Sequence, residues 1–439
     1  MSVSTFMGLQ TTLRGLLAQQ RALDVTSHNV ANANTPGYSR QEAVMGAAEA
    51  FRIGGGAVQG GGGAQLGTGV EVTAYRRIRD TFLDLQFRAQ SMRLGGYAAQ
   101  SRSLDQVELA LAEPGSNGIA AQLERFWSGW SDLANTPDSA ATRQALVEHA
   151  RALAQGFATL DGQMATVAQQ AADEYAAIVA PGGEVALIAG EVAQLNASIR
   201  AAVTSGSQPN DLLDRRDLLL DRLATLGQVS TSDPGDGTLT VSFGDAASPL
   251  VAGTTVTWPQ ALTAPGGKLG ALTALAPTIA GYRSDLNAAA RTLADAVNAI
   301  HNGGSGTDFF TYTPGAEAST LTVAVTPAGV RTSTTASPGA NDVALAIAGL
   351  RGGAADQAYA SLVSRIGNDV REASRQESNA QRLLDAVADR RDSTAGVSLD
   401  EEMTNLLRFQ RGYQASARAM STLDEMLDVL INRTGRVGI

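Results

Sequence analysis

No cysteine occurs among the 439 residues, which excludes disulfides, thiol nucleophiles and thiolate metal sites at once. Aromatic residues are scarce, at 5%, while Ala, Leu, Gln and Gly abound; that balance favours long Ala/Leu helices over an all-β architecture. Basic residues are the minority. Formal net charge is -10, and the densest basic stretch is Arg76, Arg77 and Arg79, so the footprint of a nucleic-acid binder is missing and no nucleic-acid partner is expected. No stretch approaches the roughly 18 consecutive apolar residues of a spanning helix, and the first residues lack the basic region, apolar core and small-residue cleavage site of a cleaved signal. The expectation is therefore no membrane insertion, and any export must use a route without such a signal.

Catalytic patterns are missing too. The three histidines, His28, His149 and His301, fall in different predicted helices, where structural or surface roles are expected. No motif places a Ser-His-Asp set. The glycine run between Gly54 and Gly63 lacks the Lys-Ser/Thr ending of a phosphate loop and reads as a linker. Asp233-Pro234-Gly235-Asp236-Gly237 lacks the rest of a calcium loop and reads as a hairpin turn. No catalytic, cofactor-binding or metal-ligating residue is assigned, no cofactor is expected, and the chain reads as a non-enzyme. The alternating charges from Asp214 to Asp221 read as a solvated helix face. Trp130 lies on an apolar stripe and reads as core, whereas Trp127 is one position off it and is open to an interface role.

What is present is helical periodicity and, at 44% hydrophobic content, enough apolar surface for a real core. Leu146, Leu153, Leu160 and Val167 recur every seven residues, with Ala150, Phe157, Met164 and Ala171 between them. Short loops at Asn135-Thr136-Pro137 and Pro181-Gly182-Gly183 join this helix to its neighbours, and a turn at 206–210 joins the next two helices, the pattern of an antiparallel bundle. Helical period returns at Tyr75 and runs to about Ala112, and again from Ile279 to Ile300. Between them Leu239, Val241 and Phe243 alternate with period two, predicting a small β region over roughly 228 to 258. The fold class is mainly α: a long antiparallel helical bundle with terminal coiled-coil helices and a small inserted β region.

The two ends stand out. Leu9, Leu16, Leu23 and Val30 lie seven apart, with Leu13 on an interleaved stripe, and this helix stops near residue 33, where Pro36-Gly37 suits the centre of a type II turn. At the other end Leu399, Leu406, Tyr413, Met420 and Leu427 lie seven apart, backed by Met403 and Leu430. Ser398 and Glu401 form a capping box, with Arg433 in the last turn. An isolated helix of about 30 residues is marginal in water, so both faces need partners. Periodicity alone leaves open whether these are core helices of an ordinary bundle or assembly surfaces.

The run Asn32-Ala33-Asn34-Thr35-Pro36-Gly37-Tyr38-Ser39-Arg40-Gln41 resembles the N-terminal signature shared by flagellar rod, hook and hook-associated proteins. The stretch from Leu399 to Met403, with Leu406, Gln410, Tyr413 and Asp424-Glu425-Met426-Leu427, looks like the matching C-terminal signature. Ser39-Arg40-Gln41 and Asn210-Asp211-Leu212-Leu213-Asp214-Arg215-Arg216-Asp217-Leu218-Leu219 are similar to the hook-associated members that form the hook-proximal ring of the hook-filament junction. The resemblance extends through 126–144 and Asp308-Phe309-Phe310, leaving 230–345 weakly constrained.

The resemblance implies a structural subunit of the bacterial flagellum, required for filament assembly. It would have an inner, polymerising coiled-coil domain (1–60 plus 395–439) and a helical bundle domain outside it (61–227 plus 270–394). The 228–269 β region and the 303–345 loop/β segment would form a reduced outer part, since larger relatives carry additional outer β domains there. Implied partners are copies of itself in a tubular array, the hook protein, a second junction protein and through it the filament, and an export chaperone at the C-terminal helix. The implied location is extracellular, after type III export without a cleaved signal peptide.

Overall fold

The computed structural model describes residues 6–52, 65–303 and 306–433; the glycine-rich stretch read as a linker lies outside them, as does the Arg433 side chain. In chain order the elements are α1 (Met7–Asn32), β1 (Gln41–Ala47), β2 (Phe51–Arg52), β3 (Gln65–Leu66), β4 (Val70–Arg77), α2 (Thr81–Leu111), α3 (Ile119–Asn135), α4 (Ala140–Val179), α5 (Glu184–Thr204) and α6 (Asn210–Leu226). There follow β5 (Val229–Ser232), β6 (Thr240–Phe243), β7 (Val251–Ala252), β8 (Thr255–Val256), α7 (Gly267–Asn302), β9 (Phe310–Thr311), α8 (Glu317–Thr320), β10 (Thr322–Val323), α9 (Asp342–Ala348), α10 (Ala354–Ala395) and α11 (Leu399–Asp428). The architecture is mainly helical, with small antiparallel sheets.

The heptad residues of α4 form the core. Leu146, Leu153 and Met164 are fully buried there with Phe126 and Trp130 of α3, Leu286 and Leu293 of α7, and Ile366 of α10. By composition and length, the stretch Ala140–Thr204 contains an 18-residue window apolar enough to cross a membrane, a third of it buried inside the protein, and in the structure the stretch is two helices, α4 and α5, broken at residues 180–183. Burying each large side chain contributes about 1.5–3 kcal/mol as an upper estimate. The helices are long: α10, at 42 residues, spans about 63 Å.

Several local expectations shift. Tyr75 belongs to β4, and α2 begins only at Thr81, where Asp80 caps it by accepting the Phe82 and Leu83 N–H groups. The Gly95-Gly96 pair does not break α2: a methyl at Gly95 would come 2.2 Å from the Thr225 carbonyl, so glycine there lets α6 approach closely. Helix α7 begins twelve residues before Ile279, with Leu269, Leu272 and Leu275 on its buried face. Pro277 hides that start, because a proline reads as a first-turn residue although helices tolerate it inside at the loss of one hydrogen bond. Trp127 is core, 2% exposed, with its indole N–H shared between both Asp356 carboxylate oxygens at 3.1 Å.

The 303–345 segment also differs from its sequence reading. Phe309, Phe310, Ala318, Leu321, Val325 and Val330 are buried in the main core, and Phe309 and Phe310 pack on Phe126. Short strands and polar turns conceal this, because the buried residues follow neither period. Strands β5 to β8 form a four-stranded antiparallel meander. It is tied to α5 by the fully buried Asn196, whose amide donates to the Leu239 and Gly253 carbonyls.

His301 holds the 303–345 segment to α7. Its Nδ1–H donates to the Thr307 carbonyl (2.8 Å) and its Nε2 accepts the Arg331 N–H (2.9 Å), an arrangement only the neutral ring satisfies. Burial pushes its pKa below the usual histidine value. The unfolded chain therefore binds more protons than the folded one between that lowered value and about 6.5, so stability falls with acidification through this window. Thermal melts of the intact chain should show a midpoint that drops from about pH 7 to pH 5. The His301→Gln variant should lose that part of the slope; an unchanged slope would remove His301 as its source.

Candidate functional site: the terminal helices and their joint

Helices α1 and α11 pair antiparallel in a constant register. Leu423 packs on Gly8, Ser416 faces Gly15, Gln19 faces Gly412 and Asn29 meets Glu402, each step forward on α1 matched by an equal step back on α11. The closest approach therefore runs through small residues. A methyl on Gly412 would lie 2.8 Å from the Gln19 carboxamide. On α1 this seam sits one position before the leucine stripe read from sequence, because glycine and alanine admit a neighbouring helix where leucine cannot.

The twelve apolar positions expected to form an assembly surface divide accordingly. Leu9, Leu16 and Leu23 of α1 and Leu406, Tyr413, Met420 and Leu427 of α11 are half-buried beside the seam. Leu13, Val30, Leu399, Met403 and Leu430 are exposed, as are Leu17 and Leu407. None of the twelve is fully buried.

The turn after α1 is built by its own chemistry. Gly37 adopts φ +80°, the Tyr38 N–H donates to the Thr35 carbonyl at 3.1 Å, and Pro36 occupies the first central position, as a type II turn requires. Asn32 returns its amide to the His28 carbonyl and accepts the Thr35 hydroxyl, while Asn34 is exposed. Behind the turn, the buried Asn29 uses its whole hydrogen-bonding capacity. Its Oδ1 accepts the Tyr38 hydroxyl (2.7 Å) and the Gln41 N–H (3.0 Å), and its Nδ2 donates to the Gln41 carbonyl (2.9 Å) and Glu402 (3.2 Å). Burial and the Asp211, Asp214 and Glu402 carboxylates push the Tyr38 phenol well above its usual range, so it stays a donor. Ser398 caps α11 through the Glu401 N–H. The Glu401 carboxylate pairs with Arg40, which sets that capping box to a different use from the reciprocal one expected.

The charges of α6 are not a solvated face. Asp214, Asp217 and Asp221 recur at helical spacing and turn inward. Asp214 accepts both the Ser39 N–H (2.9 Å) and hydroxyl (2.8 Å), together with Arg77 (2.8 Å). Asp217 takes Arg77 and Arg79, and Asp221 takes Arg88 (2.9 Å) and Arg391 (2.7 Å). Arg79 also forks onto Asp84, and Arg391 lies 3.9 Å over the Phe87 ring. Four carboxylates of α2 and α6 thus meet four guanidiniums from β4, the β4–α2 link, α2 and α10. Burial opposes ionisation of Asp217, but Arg79, Arg77 and Arg88 outweigh it and hold its carboxyl below the usual carboxylate range. An open polar cleft of about 630 Å³ runs beside the turn, lined by residues 33–40 with Arg79, Arg391 and Ser398. The charged groups of this joint are committed to one another, an arrangement suited to fixing geometry.

The first turns of α2 invert the usual polarity. Asp84, Arg88 and Ser91 are buried, while Phe82 and Leu85 are 64% and 57% exposed. A reading that sends apolar residues inward misses both this inversion and the ionic joint. The available signal was the regular spacing of Asp214, Asp217 and Asp221 alongside the Arg77 and Arg79 pair.

Three family models match the chain: the flagellar hook-associated protein FlgK helical domain over residues 104–263, the flagellar basal body rod FlgEFG protein C-terminal region over 391–433, and the flagella basal body rod protein over 9–38. Flagellar hook-associated protein 1 of Bacillus subtilis (strain 168) is 30% identical over 98% of this chain and 99% of that protein. The protein of the same name from Escherichia coli (strain K12) is 26% identical over 97% and 99% respectively. These alignments run over 508 and 554 positions, more than the 439 residues of this chain, so the relatives carry segments that this chain lacks. The solved structure of the flagellar hook junction protein FlgK from Burkholderia pseudomallei aligns with a TM-score of 0.45 at 23% identity, covering 52% of this chain and 46% of that one.

Removing a carboxylate from the joint leaves buried guanidinium and backbone donors unpaired. Asp214→Ala should therefore cost about 3–5 kcal/mol in chemical denaturation. Asp211→Ala, at a carboxylate that is 67% exposed, should stay within about 0.5 kcal/mol. Because Asp217 has a lowered pKa in the fold, its contribution is complete above about pH 4 and is lost as pH falls through the lowered value.

Proposed function

The chain belongs to the flagellar hook-associated protein 1 family, and from that premise we propose that its terminal pair, α1 with α11, is the polymerising surface of a subunit in the hook-proximal ring of the hook-filament junction. It is a structural component of that junction, located in the flagellum and non-enzymatic. The carrying observation is that the paired helices satisfy each other along a small-residue seam and still leave Leu13, Leu17, Val30, Leu399, Met403 and Leu407 in water. Scattered apolar residues are normal on a surface, but two helices edged by them suit neighbours arranged around and along an axis.

On this reading the chain assembles with copies of itself, seats on the hook protein, and carries a second junction protein and through it the filament. The exposed edge of α11 is the segment an export chaperone would shield before assembly. On this reading the subunit works outside the cell, at the flagellum. The bundle would lie outside the arm, farther from the axis, and the segments that the longer relatives carry are reduced here, which limits the outer surface to the 228–269 β region and its neighbours.

Deleting the gene in its own organism should give cells that build hooks, form no filaments and lose flagellin to the medium; normal filaments would sink the proposal, and loss of the hook itself would point to a rod or hook subunit. In the purified chain, Met403→Glu should change unfolding free energy by less than about 0.5 kcal/mol, because the side chain is exposed. The same change should abolish filament assembly in complemented cells.

A further inference from the structure

The seam between α1 and α11 has a built-in ambiguity. On α1 the small residues Gly8, Gly15 and Ala22 recur every seven positions, and on α11 the facing residues Phe409, Ser416 and Leu423 do the same. Sliding by one heptad, α11 meets the same Gly/Ala-Leu repeat of α1 again; its own facing residues differ in bulk, so packing distinguishes the alignments by size alone. Burial along the arm is also uneven. The fully buried residues of α1 are Ala18, Ala22, Thr26 and Asn29, running from the middle of the helix to the joint, and α11 has Glu402 alone.

We propose that the buried Asn29–Glu402 contact is the register lock of the terminal arm: it breaks the heptad degeneracy and hands α11 its alignment from the body of the molecule. Asn29 and Glu402 stand 1% and 2% exposed. Asn29 is itself fixed by the Tyr38 hydroxyl and by both backbone groups of Gln41, and Gln41 is the first residue of β1, paired opposite Arg77 at the end of β4. Arg77 is held by Asp214 and Asp217. A slip of one heptad either way would set Asn29 against Phe409 or carry Glu402 beside Ala22. Either outcome leaves a buried amide or carboxylate without its partner, which the native alignment avoids. A single buried polar pair selecting one alignment among near-equal apolar ones is the best-attested use of such groups.

The absence of cysteine makes the register directly readable by disulfide trapping in the full chain. In an otherwise native background, the Gly15→Cys/Ser416→Cys pair should cross-link on mild oxidation, and the Gly8→Cys/Ser416→Cys pair, which reports a one-heptad slip, should not. Asn29→Asp keeps both acceptor bonds, loses both donors and sets like charges together. It should lower the yield of the native cross-link about tenfold, as expected for an unpaired buried polar group. Adding Glu402→Gln returns a donor across the same gap, pointing the other way, and should restore most of the yield. Amide exchange in α4 and α7 should be unchanged in every variant, which separates a loss of register from a loss of fold. An undiminished native cross-link in Asn29→Asp would overturn the lock, and so would a loss that Glu402→Gln does not repair. Neither outcome bears on whether the arm polymerises at a flagellar junction.

Discussion

The carboxylate row Asp214, Asp217 and Asp221 on α6 is the constraint on which the rest of the arrangement hangs. These three side chains, with Asp84, receive guanidiniums from β4, α2 and α10 and the backbone and hydroxyl of Ser39 in the signature turn. Taking eight charges out of water offsets most of their mutual attraction, so the net stabilisation of such a network is modest. Its directionality is another matter. Forked guanidiniums accept few geometries, and groups drawn from residues near 39, 80, 217 and 391 can be satisfied together in one relative placement of their segments.

That placement explains features which otherwise conflict with simple patterning. The first turns of α2 carry Asp84, Arg88 and Ser91 inward because the ionic row lies beneath them, and Phe82 and Leu85 are displaced to the surface as a result. Gly37 is needed at φ +80° directly over Leu218, where a methyl group would come within 3.2 Å of the Leu218 Cβ. The arm then leaves the joint in a fixed direction, since the Arg40 N–H donates to the Ala395 carbonyl at the end of α10 and the Arg40 side chain reaches Glu401 at the start of α11.

Two kinds of interior divide the work. The dry core around Leu146, Phe126, Trp130, Leu286 and Ile366 supplies the stability of the body through burial. The buried, charged joint sets the angle and register of a terminal pair that is itself half-exposed. For a junction subunit the division is useful: a stable body keeps its shape under load, while the arm keeps apolar side chains such as Leu13 and Met403 exposed.

How much of this was legible in the sequence depends on the range of the interaction. Helix content, the α4 heptads, the type II turn at Pro36-Gly37 and the small β region follow from local periodicity and turn chemistry, which determined the fold class; the family was legible only through the resemblance of the two end signatures. Trp127 and the 303–345 segment were not legible, because each takes its burial from partners distant in sequence, Asp356 and Phe126, while Pro277 obscured the early start of α7. The joint was misread for the same reason. Alternating charges on a helix look solvated until the arginines that neutralise them, more than 120 residues away along the chain, are brought alongside. Periodicity likewise gave the apolar stripe of α1 but not its seam, which tertiary packing moved by one residue onto Gly8, Gly15 and Ala22, since the closest helix approach is set by the smallest side chains rather than the most apolar.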